Sequence, residues 1–368
     1  MTSQITMVLP LSPELRSARL NALASVAVRL GDVGAARVAV DQALAHPDAA
    51  THDLLASTAR IAGLAPGHEA EPEDGNHVLT TLAACCHPAL PEAARIALML
   101  TTAAGLPVPD TAGAFSVPDD TMAQRIAWAE NRARGALGAA IPEREAESHL
   151  GRVLDVLLLI FDDGIVHPNY SVDLPREALE TARAVVQLFP DEQEPKALLA
   201  LMLLTRARRD ARLDDDGSLR ALSRQDRSLW RQDEIQEGLF LLRGSQRDGR
   251  NGPYQIRASI QAAHVTAHEA RDTDWNRLLA LHDRLMQISP SDTVALGRAC
   301  AVAEVHGAET ALESVERLGL DNHLYHATRA ELLRRLDRTE EADRAWSAAV
   351  ARVRSATEHQ RLRGALER

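Results

Sequence analysis

The sequence predicts an all-α protein, built as a helix-turn-helix unit followed by stacked helical hairpins. Three observations carry this. Alanine supplies 63 of the 368 residues, far above ordinary usage, and with leucine, arginine and glutamate it ranks among the strongest helix formers. Apolar residues recur at helical spacing through most of the chain, and no run alternates with period two long enough for a strand. The connections between these segments are short and carry Pro, Gly or Asp.

Bulk properties narrow the function. A chain of 368 residues is long enough for two or three domains. It carries 41 Lys+Arg against 52 Asp+Glu, a net charge of −11, which disfavours broad nucleic-acid binding because phosphate contacts need clustered cations. All the cations but Lys196 are arginine, a bias that fits a GC-rich genome and a codon effect. No stretch approaches about 18 consecutive apolar residues, so no membrane span is expected. The opening MTSQITMVLPLSPELRS lacks a basic segment and a long apolar core and does not read as a secretion leader. Three cysteines, Cys85, Cys86 and Cys300, make no disulfide framework and point to a cytoplasmic protein with reduced thiols.

The elements follow in order. Residues 14–46 read as two short helices, with an apolar face of Leu15, Leu20, Leu23, Val26, Val28 and Leu30 interrupted by Gly31-Asp32; residues 52–64 give a third. Residues 65–76 (APGHEAEPEDGN) form an acidic, Pro/Gly-rich linker. A second unit has helices at 91–104 and 110–116, a Val117-Pro118 turn, and a helix at 119–134 with carboxylates in its first turn and arginines in its last. Three helices with a tight turn before the third make a helix-turn-helix. Helices then run at about 148–163, 175–189, 193–209, 226–243, 253–269, 273–287, 291–306, 308–318, 321–337 and 339–353. In the last pair Ala327, Ala330, Ala342 and Ala345 allow close approach of two helices, which resembles a tetratricopeptide hairpin.

Longer runs carry a more specific resemblance. Thr81-Leu82-Ala83-Ala84-Cys85-Cys86-His87-Pro88-Ala89-Leu90 and Val117-Pro118-Asp119-Asp120-Thr121-Met122-Ala123-Gln124-Arg125 resemble extracytoplasmic-function (ECF) sigma factors of the sigma-70 family, in the subgroup with a long C-terminal helical extension. In that subgroup the first run opens region four and the second begins the DNA-recognition helix. Within the extension, Leu198 to Leu204, Ala207-Arg208-Arg209, Gln225 to Ser228, Trp230, Glu237-Gly238, Gly252-Pro253-Tyr254-Gln255, Asp272 to Trp275 and Arg329 to Leu336 stand in the family's order. The resemblance covers about residues 77–352. It implies a degenerate region-two-like segment over 1–70, a region-four-like helix-turn-helix over 71–142 and the extension over 143–368.

The departures from the family bear on function. Gly31-Asp32, Val40 to Leu44 and Leu54 to Arg60 resemble the polymerase-binding and promoter-melting helices of region two, but the aromatic residue and basic run expected there are missing. The recognition helix continues Ile126-Ala127-Trp128-Ala129-Glu130-Asn131-Arg132, with Glu130 where the family has a cation. Base contacts in the major groove depend on such cations, each good one giving about 1–3 kcal/mol of discrimination.

The extension supplies the candidate chemistry. Asp163, Tyr254 and His264 are the candidate catalytic residues. Asp162, Arg208, Asp226, Arg227, Trp230, Gln255, Asp274 and Trp128 are candidates for ligand binding. A carboxylate ending the apolar helix from Val153 to Phe161 is expected to have a raised pKa if buried, suited to acid or base work. The alternative is that these polar groups pair with one another to lock helix ends. His264 and His268, four apart, could share a helix face, but no third metal ligand is evident, and no metal or cofactor is expected. Cys85-Cys86-His87 reads as structural. The segment Gly244 to Gly252 reads as a mobile loop or a lid, and Trp128 and Trp230 as core or as pocket walls.

Two functions are therefore expected. In the first, a sigma-derived protein that has lost promoter recognition binds, and in one version transforms, a small molecule in a cleft between the helix-turn-helix unit and the extension. In the second, the chain is a working ECF sigma factor or transcription regulator, acting through RNA polymerase core, DNA or a partner protein.

Overall fold

A computed structural model describes residues 82–104, 106–115, 117–134, 143–166, 172–212, 220, 222–246 and 251–353. The region-two-like helices and acidic linker expected over residues 14–76, and residues 247–250 of the loop expected at 244–252, lie outside these residues. The described residues are helical, with no strand among them, as the composition predicts. None of their helices is long and apolar enough to cross a membrane. The chain divides into two compact units, Met1–Pro195 and Lys196–Arg368.

In the first unit a helical turn over 82–85 leads into α1 (Glu92–Thr102), α2 (Val108–Ala114) and α3 (Asp119–Arg134). Pro91 and Pro107 precede α1 and α2, where a fixed φ and a missing N–H fit a helix start. The expected tight turn is present: Phe115 and Val117 both donate backbone N–H to the Ala112 carbonyl. All three helices pack on one another, and α1 packs on α4 (Glu143–Val166), which packs on α5 (Leu174–Leu188). The close α4–α5 crossing depends on Gly164, where a Cβ would lie 2.7 Å from Leu174 Cβ. Asp173 caps α5 by accepting from the Arg176 N–H at 3.2 Å.

In α3 the inward stripe is Met122, Ile126, Ala129, Glu130 and Ala133, a helical repeat of three and four. Glu130 is therefore buried, not displayed on an outward recognition surface as its sequence position suggested. The exposed positions are Asp119, Asp120, Thr121, Ala123, Gln124, Ala127, Trp128, Asn131 and Arg132.

The boundary between the units falls in the first turn of α6 (Gln193–Arg206), which is buried all round from Ala197 to Leu204. The chain then makes short 3₁₀ turns at Arg209–Ala211, Leu222–Arg224 and Arg227–Leu229 before α7 (Gln232–Ser245). The sequence placed one helix over 226–243; instead the first residues of that span make a turn, because Asp226 accepts from the Ser228 N–H at 2.9 Å and its hydroxyl at 2.7 Å. Gly238 lets α7 cross α6 closely, since a Cβ there would meet Leu204 Cγ at 2.8 Å.

There follow α8 (Pro253–Thr266), α9 (Trp275–Ile288), α10 (Asp292–His306), α11 (Ala308–Glu316), α12 (His323–Arg335) and α13 (Thr339–Ala351). Each packs on the next, and α10 also on α12, the neighbour pattern of stacked hairpins. Side-chain caps start several of them: Asp274 for α9, Ser291 for α10 and Asn322 for α12. Ala330, Ala342 and Ala345 are buried in the core that α12 and α13 share, together with Trp346.

Candidate functional site

Two arginines leave the C-terminal end of α6 within three residues of one another, Arg206 and Arg208. Arg206 is answered in full. Its guanidinium pairs with the buried Glu234 of α7 at 3.0 Å, and Arg231 joins the same carboxylate at 3.3 Å while also holding Asp210 at 3.0 Å.

Arg208 is answered only by a neutral group. It is 8% exposed, and its Nη2 donates to Gln261 Oε1 of α8 at 2.6 Å. Its Nε is buried without a hydrogen-bond partner. Among the described residues no carboxylate pairs with it. Burial, and then the neighbouring charges of Arg212 and Arg227, bring its pKa down to about 10.

Arg227 stands beside it. One arm, Nη1, donates to the His264 carbonyl at 3.2 Å and the Ala267 carbonyl at 2.7 Å, a cation placed on the C-terminal carbonyls of α8. The other arm, Nη2, is buried without a partner. The guanidinium lies 4.4 Å above the ring of Trp230, and Trp230, itself buried, leaves its indole Nε1 unpartnered. Arg231 N–H donates to the Ala207 carbonyl at 3.0 Å, tying this turn to the end of α6.

His264 closes the group. It follows Gln261 by three residues, so both share one face of α8. Its ring meets Trp275 edge-on with centroids 5.8 Å apart, and its Nδ1 is buried and unpartnered. Burial first, then Arg208, His282 and Arg227, bring its pKa down to about 4, so the imidazole is neutral at pH 7. His282 of α9 is shifted down as well, chiefly by burial, and lies against Gly297, where a Cβ would come within 2.8 Å of its ring.

Four of the residues picked from sequence thus come together: Arg208, Arg227, Trp230 and His264. Others have structural work. Gln255 is buried, accepts from the Gly252 N–H at 2.7 Å and donates to the Ser245 carbonyl, which latches the end of α7 to the start of α8. Asp226 holds its own turn, and Asp274 accepts from the Arg277 N–H at 2.9 Å. Asp226, Gln255 and Asp274 thus hold turn and helix ends through backbone groups.

Tyr254 and His264 are not gathered at one point. Tyr254 is buried near the start of α8, and at 1.5 Å rise per residue it lies about 15 Å along the helix from His264. Asp163 belongs to α4 of the first unit, where it is half-buried beside an exposed Asp162. The apolar stripe of α4 runs Val153, Leu154, Val156, Leu157, Ile160 and Phe161; with Asp162 exposed and Asp163 half-buried, neither carboxylate meets the condition of burial. Trp128 is 49% exposed, whereas Trp230 is core.

The two-histidine reading also changes. α8 ends at Thr266 because Arg227 takes its last carbonyls, so His268 lies beyond the helix and is exposed. Among the described residues no group of three metal-ligating side chains gathers. Cys85 and Cys86 are fully buried, the thiol of Cys85 lies 3.8 Å from the Thr102 hydroxyl, and burial pushes the Cys86 thiol up, all in keeping with a structural pair.

Sequence reasoning missed Gln261 and His282. Gln261 shares the helix face of His264 and was accessible from spacing alone; His282 joins only through the packing of α9 on α8.

Residues 149–246 match the model described as "Family of unknown function (DUF6596)", a span that holds Arg208, Arg227, Trp230 and Glu234 but stops before His264. A curated relative, the uncharacterized protein R00370 of Rhizobium meliloti (strain 1021), is 37% identical over 310 residues, covering 80% of this chain and 73% of the relative. No solved structure matches the chain. At that identity and coverage, the chain belongs to the same family as the Rhizobium protein.

Proposed function

We propose that this chain is a sigma-factor-derived cytoplasmic protein that has given up promoter recognition and binds a small molecule through its helical extension, at the Arg208, Arg227, Trp230 and His264 cluster. The observation that carries this is the buried, uncompensated Arg208 with unpartnered donors beside it. Buried polar groups in native proteins are nearly always satisfied, and each exception asks for an explanation such as a bound ion or ligand. The likeness of the chain to ECF sigma factors supports the origin. The outward face of α3 supports the loss: among its described side chains the exposed charged ones are Asp119, Asp120 and Arg132, and Arg125 is half-buried against the Phe115 ring at 5.5 Å. That surface is poor in the cations that phosphate contacts require.

A second reading, a transcription regulator working through RNA polymerase core, DNA or a partner protein, is favoured by Trp128, a large aromatic exposed at 49% on the same helix. Co-purification of the full chain with core polymerase, and promoter-duplex binding at about 50 mM and 200 mM salt, separate the two. The expected result is no stable polymerase complex and no steep loss of duplex binding with salt. A complex with core, or a steep salt slope, would establish the second reading.

A further inference from the structure

Building on the small-molecule reading, we infer that the Arg208–Arg227–Trp230–His264 cluster receives the oxyanion of its ligand, a carboxylate or phosphate group.

Three kinds of observation converge on an anion. Arg208 Nε, Arg227 Nη2 and Trp230 Nε1 are all donors, all buried and all without a partner. An arginine has no acceptor to offer and an indole N–H only donates, so what completes them must bring lone pairs. Next, the two guanidiniums have no counter-ion among the described residues. Among the described carboxylates, Asp210 is engaged with Arg231, Glu234 with Arg206 and Arg231, and Asp226 with Ser228. Asp272 and Glu269 favour the charged form of Arg227 only through space. Finally, His264 is neutral and its free Nδ1 points the same chemistry one step further, as an N–H donor to the anion or an acceptor for a ligand hydroxyl.

Planar guanidinium forks match carboxylate and phosphate oxygens in pairs. Burial selects the size of the ligand. Arg208 is 8% exposed and Trp230 4%, out of reach of a duplex backbone, so the oxyanion belongs to a small molecule.

The test is thermal unfolding of the full-length protein titrated with inorganic phosphate in one series and acetate in another, ionic strength held constant with chloride. A ligand that binds only the folded state raises the melting temperature in a saturable way. The expected result is a saturable rise with at least one anion, the larger rise naming the phosphate or carboxylate source. The midpoint should move by at least about tenfold in Arg208→Met, the loss of one charge-assisted contact, and remain in Arg338→Gln, whose arginine is exposed and paired with Glu341. If Arg208→Met does not melt cooperatively, Trp230→Phe removes one donor while keeping a ring and should weaken the same midpoint. No saturable rise with either anion, or an unchanged midpoint in the variant that folds, overturns the inference. Anion binding together with a core polymerase complex would keep the site and remove the proposed loss of sigma function. A neutral metabolite that co-purifies with the wild type and not with His264→Gln, with no response to either anion, would keep the small-molecule reading and remove the oxyanion.

Discussion

Arg206 and Arg208 leave the same helix end, yet they face opposite circumstances. Arg206 shares Glu234 with Arg231, and Arg231 reaches on to Asp210, so this patch contains its own counter-charges. Arg208 is the more deeply buried of the two and has Gln261 alone, with Arg227 and its unpartnered arm nearby. Desolvating a guanidinium costs several kcal/mol that only a well-placed partner offsets. The first arrangement closes on itself and belongs to the architecture. The second is incomplete, and the proposed oxyanion site rests on that incompleteness.

The contrast can be broken from either side. The largest effect is expected on the closed side: Glu234→Ala strands Arg206, while Arg231 keeps Asp210, and should cost about 3–5 kcal/mol in a urea unfolding measurement. Next comes pH. With a folded-state pKa of about 4 against an ordinary 6.5, His264 stays neutral while the unfolded chain takes up a proton. Stability is therefore fully present above about pH 6.5 and is lost as pH falls towards 4. The loss from this residue is about 2 kcal/mol by pH 5, with His282 acting in the same direction. Chemical denaturation at pH 7 and pH 5 measures it, and His264→Gln should flatten the difference.

On the open side the expectation is smaller and of unusual sign. Arg208→Met removes a buried charge that nothing balances, so in chloride its stability should fall by less than about 1 kcal/mol or rise. A loss as large as that of Glu234→Ala would mean that Arg208 is structural. The smallest effect belongs to Asp210→Asn, which breaks a pair exposed at 40% and 48%; about 0.5 kcal/mol or less is expected from a double-mutant cycle with Arg231.

These particulars also show what the sequence could tell. The all-helical class, the turn at Val117-Pro118 and the alanine seam of α12 and α13 were legible, because they rest on local propensity and on helical spacing. The residues Arg208, Arg227, Trp230 and His264 were legible as a motif, but their state was not. Helical spacing assigns a face and says little of its depth. Glu130 therefore read as an outward carboxylate although it joins the Met122–Ile126–Ala129 stripe, and spacing left the burial of Asp162 open, which the structure places on the outer side of α4. The length of α8 is set by Arg227, roughly forty residues upstream, whose grip on the His264 and Ala267 carbonyls ends the helix before His268. No window of neighbouring residues holds that information. That Arg208 meets a glutamine and not a carboxylate is a tertiary fact of the same kind.

The measurement that bears most directly on the open cluster is an anomalous difference map from a crystal of the full chain grown with selenate, a tetrahedral oxyanion with a scatterer at its centre. The account expects a peak within hydrogen-bond reach of Arg208 Nε, Arg227 Nη2 and Trp230 Nε1. A carboxylate of the chain itself seated on those donors, or selenate bound elsewhere with this cluster empty, would contradict it.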